Sequence, residues 1–326
     1  MLAARSVWAC RASSKADTIH MAQGLQSLDP AVLDRLSSLE LVARSVVDGF
    51  MTGGHRSGRL GSSVEFAQHR PYVLGDELRR VDWKVYARND RLVVKQFVEE
   101  TELACHVLVD RSESMVYGSQ AWTKYDYARW CAASLAHLVL LQGDVAGLVL
   151  FDEAAHDKIA PKSGAGQRAS IWNTLERSAA GGGTKIGTVL EWIAPKLRQK
   201  GKGVVCVFSD FYDDPAQIGA GLRRLAAGGH DLILFQVVDP RELDFQFDGL
   251  LRLDGLEGAG RVKVDPRALR DAYLAEVKAH GEALAREARA LRAEVVQLRT
   301  DRGVEVVLSA WLAARTARIR SGGRGR

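Results

Sequence analysis

The chain has 326 residues, of which 47% are hydrophobic and 26% are charged, and its formal net charge at pH 7 is +5. These values are typical of a globular protein that is long enough for one large hydrophobic core and a smaller module. The four cysteines, at positions 10, 105, 131 and 206, have the spacing of neither a disulfide framework nor a zinc site. A reducing, cytoplasmic location therefore fits the cysteine pattern best.

Residues 1–26 are predicted to be a disordered leader, or the product of an over-extended gene start with Met21 as the true initiator. The beginning of this segment is rich in Arg, Ser and Ala and lacks the apolar core of a secretory signal. The longest apolar region, residues 135–151, is interrupted by polar residues at 142–144 and is too short on either side for a membrane helix. We therefore expect a soluble chain without a membrane span.

Residues 27–100 are predicted to form an N-terminal module of one helix and a small β structure. Leucines and valines recur at helical spacing over residues 27–50, and Pro30 suits the first turn of a helix. Residues 64–100 contain short strand-like runs that are separated by a turn near Gly75. A loop rich in Gly, Ser and Arg joins the two parts.

From Cys105 onward, apolar runs alternate with helical patterns. The runs cover residues 105–110, 145–151, 203–210, 231–239 and 294–301, and the helical patterns cover about 122–142, 167–178, 186–199, 214–227, 266–290 and 304–319. This alternation predicts a mostly parallel sheet with helices on both faces, which is a doubly wound α/β fold. The predicted domain is 101–320, with an antiparallel edge near 153–161, an insertion at 240–265 and a basic tail at 321–326.

The first strand of this domain ends in "VDRSESM", which has Asp110, Ser112 and Ser114 at alternate positions. The third strand ends in Asp210, and the segment "AAGGGTKIGTVL" between them in the chain offers the hydroxyl of Thr184. Ligands of open α/β sheets bind outside the carboxyl ends of the strands. If the first and third strands are neighbours, the three segments converge on one edge of the sheet.

Carboxylates and hydroxyls without cysteine or histidine are hard ligands that suit one small divalent cation, Mg²⁺ or Mn²⁺. Three hydroxyls are assigned to direct contact with this cation: Ser112, Ser114 and Thr184. Two carboxylates, Asp110 and Asp210, are assigned to water molecules around it, which leaves one coordination position open. The alternative is that these side chains only cap helices and stabilise turns.

The segments "DRSES", "GGTKIGT" and "FSD" resemble the metal-ion-dependent adhesion site of von Willebrand factor A domains, in the order that this family uses. The resemblance implies that the two serines and the threonine contact the cation, and that an acidic side chain of a partner protein completes its shell. The residues concerned are Asp110, Ser112, Ser114, Thr184 and Asp210. Many family members have glycine after the last aspartate, whereas Phe211 follows it here.

A second resemblance covers nearly the whole chain, from about Asp29 to Arg315. The segments "GGHRSGRLGSSVEF" and "HRPYVLGDELRRVDWKVYARNDRLVVKQF" are similar to the bacterial domain of unknown function 58 family, in which such a module precedes an A-type domain. The signature residues are Arg70, Tyr72, Gly75, Asp76, Arg79, Asp82, Trp83, Lys84 and Arg88. They form either a dedicated binding surface or a salt-bridged module packed by Phe66, Tyr72, Trp83 and Phe97.

The two resemblances imply a non-enzymatic interaction module from the branch of the family without membrane helices. Such proteins are usually encoded beside a MoxR-type AAA+ ATPase, so we expect an adaptor or co-chaperone of that ATPase. One alternative is a Mg²⁺-dependent phosphohydrolase with Asp110 as nucleophile, although Ser112 stands where such enzymes have a second acid. Another alternative is nucleic-acid binding through the arginine-rich tail, which carries the whole excess of positive charge.

Overall fold

The computed structural model describes most of the chain and divides it into two compact units. The described residues are 8–10, 30, 38–52, 66–73, 76, 81–97, 103–198, 202–245, 251–255, 261–264 and 266–322. The larger unit contains residues 1–57 and 103–326, and the smaller unit contains residues 58–102.

Strands and helices alternate over most of the larger unit. The described strands are β1 (Trp8–Cys10), β2 (Phe66–Pro71), β3 (Val93–Phe97), β4 (Ala104–Asp110), β5 (Val145–Phe151), β6 (Ala155–Lys162), β7 (Gly203–Ser209), β8 (Asp231–Val238), β9 (Leu251–Gly255), β10 (Arg261–Val264) and β11 (Glu294–Arg299). The described helices are α1 (Leu39–Thr52), α2 (Trp83–Asn89), α3 (Lys124–Leu141), α4 (Ala165–Arg177), α5 (Ile186–Arg198), α6 (Pro215–Ala227), α7 (Pro240–Asp244), α8 (Pro266–Ala290) and α9 (Val304–Gly322). A short 3₁₀ helix spans Glu113–Val116.

The centre of the larger unit is a six-stranded sheet in the order β6-β5-β4-β7-β8-β11. Neighbouring strands are parallel, except that β6 runs antiparallel to β5 at one edge. The predicted doubly wound, mostly parallel fold is therefore confirmed, together with its antiparallel edge. In this strand order the winding reverses between β4 and β7, and a crevice forms there at the carboxyl ends of the strands.

Two hydrophobic cores cover the sheet because successive side chains of a strand point to opposite faces. Val107 and Val109 of β4 belong to a core that also contains side chains of α1, α3, α4 and α9. Leu108 belongs to a second core, with side chains of α5, α6 and α8. All three side chains are fully buried, and truncating such a side chain to alanine typically costs about 2–5 kcal/mol of stability. The two cores fix the ends of β4 and β7 in place.

Helix α1 lies in the larger unit, which differs from the predicted division of the chain. Val42, Ala43 and Val46 form an apolar stripe on this helix and are buried in the same core as α3. An amphipathic helix is stabilised chiefly by covering its apolar stripe, and here the helices of the sheet domain cover it. The module that we predicted over residues 27–100 is therefore reduced to the smaller unit, and residues 31–37 lie outside the described part.

The predicted insertion at residues 240–265 contains regular structure. It begins with α7, and β9 and β10 then form an antiparallel pair. The other edge of β9 pairs with β1, with Trp8 opposite Gly255. Three residues of the leader that we predicted to be disordered therefore form a strand in a small sheet.

Helix α8 is long but mostly polar on its surface. It has 25 residues, and Leu284 and Ala288 are the side chains that it contributes to the second core. Among the described residues, no helix is both long enough and apolar enough to cross a lipid bilayer.

Candidate metal centre

Asp110 is the last residue of β4 and is completely buried. Its Oδ1 atom accepts a hydrogen bond of 2.8 Å from the backbone N–H of Ser112, and its Oδ2 atom accepts one of 2.6 Å from the Ser209 hydroxyl. Because β4 and β7 are hydrogen-bonded neighbours, Ser209 at the end of β7 reaches Asp110 directly. Both donors are neutral, so they orient the carboxylate without neutralising its charge.

The hydroxyls of Ser112 and Ser114 converge because the chain turns into the 3₁₀ helix directly after β4. Ser112 is extended, with φ −61° and ψ 166°, and the 3₁₀ helix then brings Ser114 back beside it. Their Oγ atoms lie 3.1 Å apart, and both residues are buried. Met115 packs into the first core beneath them. The alternate spacing in the sequence thus corresponds to two hydroxyls that share one location.

The glycine-rich loop lies directly beside this turn. The N–H of Gly181 donates to the carbonyl of Arg111 at 2.7 Å, and the N–H of Glu113 donates to the carbonyl of Gly182 at 2.8 Å. Gly182 has a φ of +98°, and a Cβ atom there would approach a carboxyl group at 3.3 Å, so glycine suits this position. Thr184 is partly buried and follows Gly182 by two residues. Two backbone hydrogen bonds therefore join the loop of Thr184 to the loop of the two serines.

Asp210 follows β7 and is also completely buried. Its Oδ1 atom accepts a hydrogen bond of 3.2 Å from the N–H of Tyr212. Its Oδ2 atom accepts a hydrogen bond of 2.8 Å from the ammonium group of Lys124. Unlike Asp110, this aspartate has a buried cation as a partner.

Phe211 takes the place of the glycine that many resembling proteins have after the last aspartate. Its φ is +58°, the left-handed conformation that glycine adopts most easily and that costs other residues about 1–2 kcal/mol. The side chain is fully buried in the second core, and its carbonyl accepts a hydrogen bond of 2.8 Å from Nε2 of His280. Packing and this hydrogen bond hold the turn in the conformation that glycine would provide.

Lys124 is a charged residue of the site that sequence analysis missed. It is the first residue of α3, which begins with a capping box between Thr123 and Asp126. Its side chain is 1% exposed, and its Nζ atom donates to Asp210 at 2.8 Å and to Glu242 at 2.6 Å. Burial lowers the pKa of this ammonium, but the two carboxylates outweigh burial and raise the pKa above its usual value. Lys124 is therefore a permanent internal cation.

The buried charges at this edge of the sheet do not balance. Three buried carboxylates, Asp110, Asp210 and Glu242, accompany one buried ammonium, Lys124. Asp110 forms no ion pair with any residue that the structure describes. Burial, and secondarily the charge of Asp210, raise the pKa of Asp110 to about 7 against the hydrogen bonds that it accepts. When Asp110 is ionised, the site therefore lacks positive charge.

The oxygen atoms around Asp110 fit a small hard cation. We call the five predicted residues the cradle: Asp110, Ser112, Ser114, Thr184 and Asp210. In the described part of the chain, no three His, Cys, Asp or Glu side chains form a group that could hold a metal ion, so a cation here depends on the hydroxyls. Oxygen ligands, including carboxylates and water, suit Mg²⁺ and Mn²⁺. A bound dication would supply the charge that Asp110 lacks.

Arg111 lies within the "DRSES" turn but takes part in a different contact. Its Nε atom donates to Oδ2 of Asp152 at 3.1 Å, while Oδ1 of Asp152 lies 2.6 Å from Nε2 of His156. Although burial opposes it, the hydrogen bond with His156 is the strongest influence that lowers the pKa of Asp152. Arg111 is thus held by a second carboxylate beside the cradle.

The signature residues of the smaller unit stabilise its local structure. Arg70 and Asp76 form a two-pronged ion pair, with distances of 2.7 Å and 2.5 Å. Oδ2 of Asp76 also accepts a hydrogen bond of 2.9 Å from the N–H of Val73. Asp82 caps α2 by accepting a hydrogen bond of 3.0 Å from the N–H of Lys84. These contacts support the salt-bridged module rather than a separate chemical site.

Trp83 departs from the packed arrangement that we expected for the aromatic residues of this module. It is 55% exposed, and its ring meets that of Tyr86 edge to face, with centroids 6.1 Å apart. The side chains of Lys84 and Arg88 are also exposed, and Tyr72 is partly buried. Outside the description lie Gly75 and Arg79, together with the side chains of Phe66 and Phe97.

The phosphohydrolase alternative requires a lysine beside the strand ends, and the sequence pattern indicated none. Lys124 does lie there, but its ammonium group is buried and donates to Asp210 and Glu242. A lysine that already binds two carboxylates is not free to neutralise a phosphoryl group of a substrate. The arrangement therefore favours a structural role for Lys124.

The arginine-rich tail is used in part by the fold. Arg315 in α9 forms ion pairs with Asp231 at 2.8 Å and with Glu294 at 3.6 Å. Both acids belong to strands of the central sheet. At least this arginine therefore stabilises the sheet edge.

The strand order and the cradle define a doubly wound α/β protein with converging oxygen atoms at the point where the winding reverses. The family described as "Protein of unknown function DUF58" matches residues 68–283, and the chain belongs to this family, as the signature predicted. Relatives include uncharacterized protein Rv1480 of Mycobacterium tuberculosis and uncharacterized protein Mb1516 of Mycobacterium bovis. Each is 30% identical over 278 residues, which make up 84% of this chain and 86% of the relative.

Similar solved structures include the conserved hypothetical protein BatB from Bacteroides thetaiotaomicron, with a TM-score of 0.45, 13% identity and coverage of 66% of this chain and 99% of that chain. The SpRpn10 VWA domain has a TM-score of 0.39 and 12% identity, and the match covers 64% of this chain and 94% of that chain. The von Willebrand factor type A structure from Catenulispora acidiphila has a TM-score of 0.31 and 16% identity, with coverage of 59% and 44%. At these levels of similarity, the function of the chain must be argued from its own residues.

Proposed function

We propose that this protein is a non-enzymatic interaction module that binds an acidic side chain of a partner protein through one divalent cation, Mg²⁺ or Mn²⁺, in the cradle. One observation carries the proposal. Asp110 is a completely buried carboxylate without a cationic partner among the described residues, and it lies beside two hydroxyls whose oxygen atoms are 3.1 Å apart. A buried charge is tolerated when it is paired or when it helps to hold a metal ion.

The residues of the cradle divide into two roles. The hydroxyls of Ser112, Ser114 and Thr184 are the proposed direct ligands, as the resemblance to the adhesion site implies. Asp110 and Asp210 hold water molecules around the ion and supply negative charge. The cation contributes a strong positive charge at the protein surface, and its remaining position accepts a carboxylate of the partner. Binding of the partner therefore depends on the ion.

The proposed partner is a MoxR-type AAA+ ATPase, with this chain as its adaptor or co-chaperone. Family membership supports this partner, since members are usually encoded beside such an ATPase. The cradle supports the type of contact, since it offers an open coordination position to an acidic group. The partner would then need an exposed Asp or Glu on the surface that meets the cradle.

Calorimetric titration with Mg²⁺ and Mn²⁺ tests the cation directly. We expect one ion per chain, with binding lost in Asp110→Asn and weakened in Ser114→Ala. Asp144→Asn is a matched control, because Asp144 accepts a hydrogen bond from the N–H of Leu103, at the opposite end of β4 from the cradle. Equal binding by the wild type and Asp110→Asn would contradict the cradle.

A pull-down with the AAA+ ATPase that is encoded nearby tests the partner. The wild type should retain the ATPase in Mg²⁺ and release it in EDTA, and Asp110→Asn should fail to retain it in either condition. Asp144→Asn should behave like the wild type. Retention that is unaffected by EDTA and by Asp110→Asn would rule out the cation-bridged contact even if the ATPase is the correct partner.

A further inference from the structure

A polar cleft of about 490 Å³ opens beside the cradle in the larger unit. The side chains used in the argument are Arg111, Asn173, Thr174, Arg177 and Ser178, with the backbone of Gly181. Two of these residues also belong to the loops of the cradle. Arg111 stands between Asp110 and Ser112, and its carbonyl accepts the hydrogen bond from Gly181. The cleft and the cradle are therefore adjacent and share the same two loops.

The lining of this cleft favours an anion. Arg111 uses Nε for its hydrogen bond to Asp152, and a guanidinium group has further N–H donors that Nε does not occupy. Arg177 is exposed and forms no ion pair with a residue in the described part of the chain. One carboxylate, that of Asp157, also lines the cleft, so two guanidinium groups face one acid. The hydroxyl and amide groups of the lining add neutral hydrogen-bond donors.

Arg177 also has an ordinary explanation, because it is the last residue of α4 and a positive charge is favourable at the end of a helix. Arg198 gives a comparison. It is the last residue of α5, which has the same length as α4, and it is exposed and has no ion pair with a described residue. Arg198 does not line the cleft. A property that depends on Arg177 but not on Arg198 therefore belongs to the cleft rather than to a helix end.

We propose that this cleft is a second anion site, which receives a carboxylate from the same segment of the partner that places another carboxylate in the cradle. The inference rests on the proposed function, since the cradle supplies the first contact. It specifies the partner further: the segment that binds carries at least two acidic side chains. Once the first carboxylate is bound, the second binds at a high effective concentration. A partner with one acidic residue should bind more weakly, by about threefold to tenfold.

Simple carboxylates are suitable probes, because they carry the proposed chemistry without a partner protein. Acetate can fill one site, and linear dicarboxylates from succinate to suberate offer two carboxylates at increasing separation. NMR titrations of the isotope-labelled full chain can follow the amide of Gly181 and the Nε–H groups of Arg111 and Arg177. Each titration is run with saturating Mg²⁺ and again with EDTA. Inorganic phosphate serves as a competing anion.

In Mg²⁺ we expect at least one dicarboxylate to bind about threefold to tenfold more tightly than acetate and to shift the signals of both arginines. Arg177→Gln should remove this advantage and leave the affinity for acetate unchanged. Arg198→Gln should retain the advantage. Raising the salt concentration should reduce the advantage, because the second contact is an exposed charge interaction. This pattern supports the second anion site.

Three results would overturn the proposal. The first is that no dicarboxylate binds more tightly than acetate in Mg²⁺, and the second is that Arg177→Gln and Arg198→Gln behave alike. The third is that phosphate shifts the arginine signals more strongly than any carboxylate. Failure of the cradle is recognised separately, because acetate would then bind equally in Mg²⁺ and in EDTA. In that case the EDTA titrations decide on the cleft: shifts lost in Arg177→Gln support an anion site, and their absence excludes it.

Discussion

Asp110 and Asp210 end neighbouring strands of one sheet, and both are completely buried, yet their surroundings differ in one respect. The carboxylate of Asp210 accepts a hydrogen bond of 2.8 Å from the ammonium group of Lys124. The carboxylate of Asp110 accepts hydrogen bonds only from neutral groups of Ser112 and Ser209 among the described residues. One charge is thus neutralised by the fold, and the other is left for an ion from outside.

This difference separates two roles that a sequence motif treats alike. Asp210 is tied into an internal ion pair that also includes Glu242, so a large part of its contribution goes to stability. Asp110 contributes an unbalanced charge, which opposes folding when no cation is bound. Changes on the two sides should therefore act in opposite directions. The following predictions test that contrast, beginning with the largest effect.

The largest effect is expected for Lys124→Met. Removing the ammonium group leaves Asp210 and Glu242 buried without their cation, and breaking a buried ion pair in this way typically costs about 3–5 kcal/mol. Urea unfolding in EDTA measures this loss as a lower free energy of unfolding. If the variant unfolds during purification, far-UV circular dichroism at low temperature against the wild type reports the same loss.

A compensated variant distinguishes a loss of charge pairing from a loss of packing. Lys124→Met combined with Asp210→Asn and Glu242→Gln removes all three charges and keeps the side chains similar in size. We expect it to regain much of the stability that Lys124→Met loses. If Lys124→Met costs less than 1 kcal/mol, on the scale of an exposed pair, then Asp210 is not neutralised by Lys124 and the contrast fails.

Most of the cradle could be predicted from the sequence, because its residues follow buried strands directly. Asp110 and Asp210 each end a run of Val, Leu, Cys or Phe, and a parallel sheet aligns the carboxyl ends of such runs. The alternate spacing of Ser112 and Ser114 also has a local cause, the 3₁₀ turn after β4. Residues that are positioned by the strand before them are thus accessible to pattern analysis.

Lys124 and Glu242 could not be predicted in this way, because they meet through packing. They are 118 positions apart, and their contact depends on where α3 and α7 lie on the sheet. The sequence contained two partial signals. Lys124 is a charged residue at the start of a largely apolar helix, and Asp239 with Glu242 has the spacing of a capping box. Neither signal identifies the partner carboxylate.

Addition of Mg²⁺ should give the next largest effect, with the opposite sign. An ion that binds only the folded state stabilises it by about 2.7 kcal/mol when its free concentration is a hundred times the dissociation constant. Thermal unfolding at increasing Mg²⁺ should therefore shift the midpoint of the wild type upward, and the midpoint of Asp110→Asn should stay constant. An equal shift in both proteins would mean that the stabilising ion binds elsewhere.

The smallest effect concerns pH in the absence of metal. The pKa of Asp110 is raised from 3.8 to about 7, so between these values the folded state holds a proton that the unfolded state has released. Stability must then fall as pH rises through this window, by at most about 1.4 kcal/mol per pH unit, and become level above it. The raised pKa of Glu242, which is due mainly to burial, acts in the same direction. Burial lowers the pKa values of His137 and His230, which act in the opposite direction just below pH 6.5.

Comparison with Asp110→Asn isolates this effect, because the other groups titrate in both proteins. In EDTA, the free energy of unfolding of the wild type should fall relative to that of the variant between about pH 4 and pH 7. Saturating Mg²⁺ at pH 7.5 should restore the wild type, because the cation takes the place of the proton beside the ionised carboxylate. Urea unfolding at four pH values is sufficient. Parallel pH profiles for the two proteins would mean that Asp110 already has a compensating charge, and the distinction between the two aspartates would be lost.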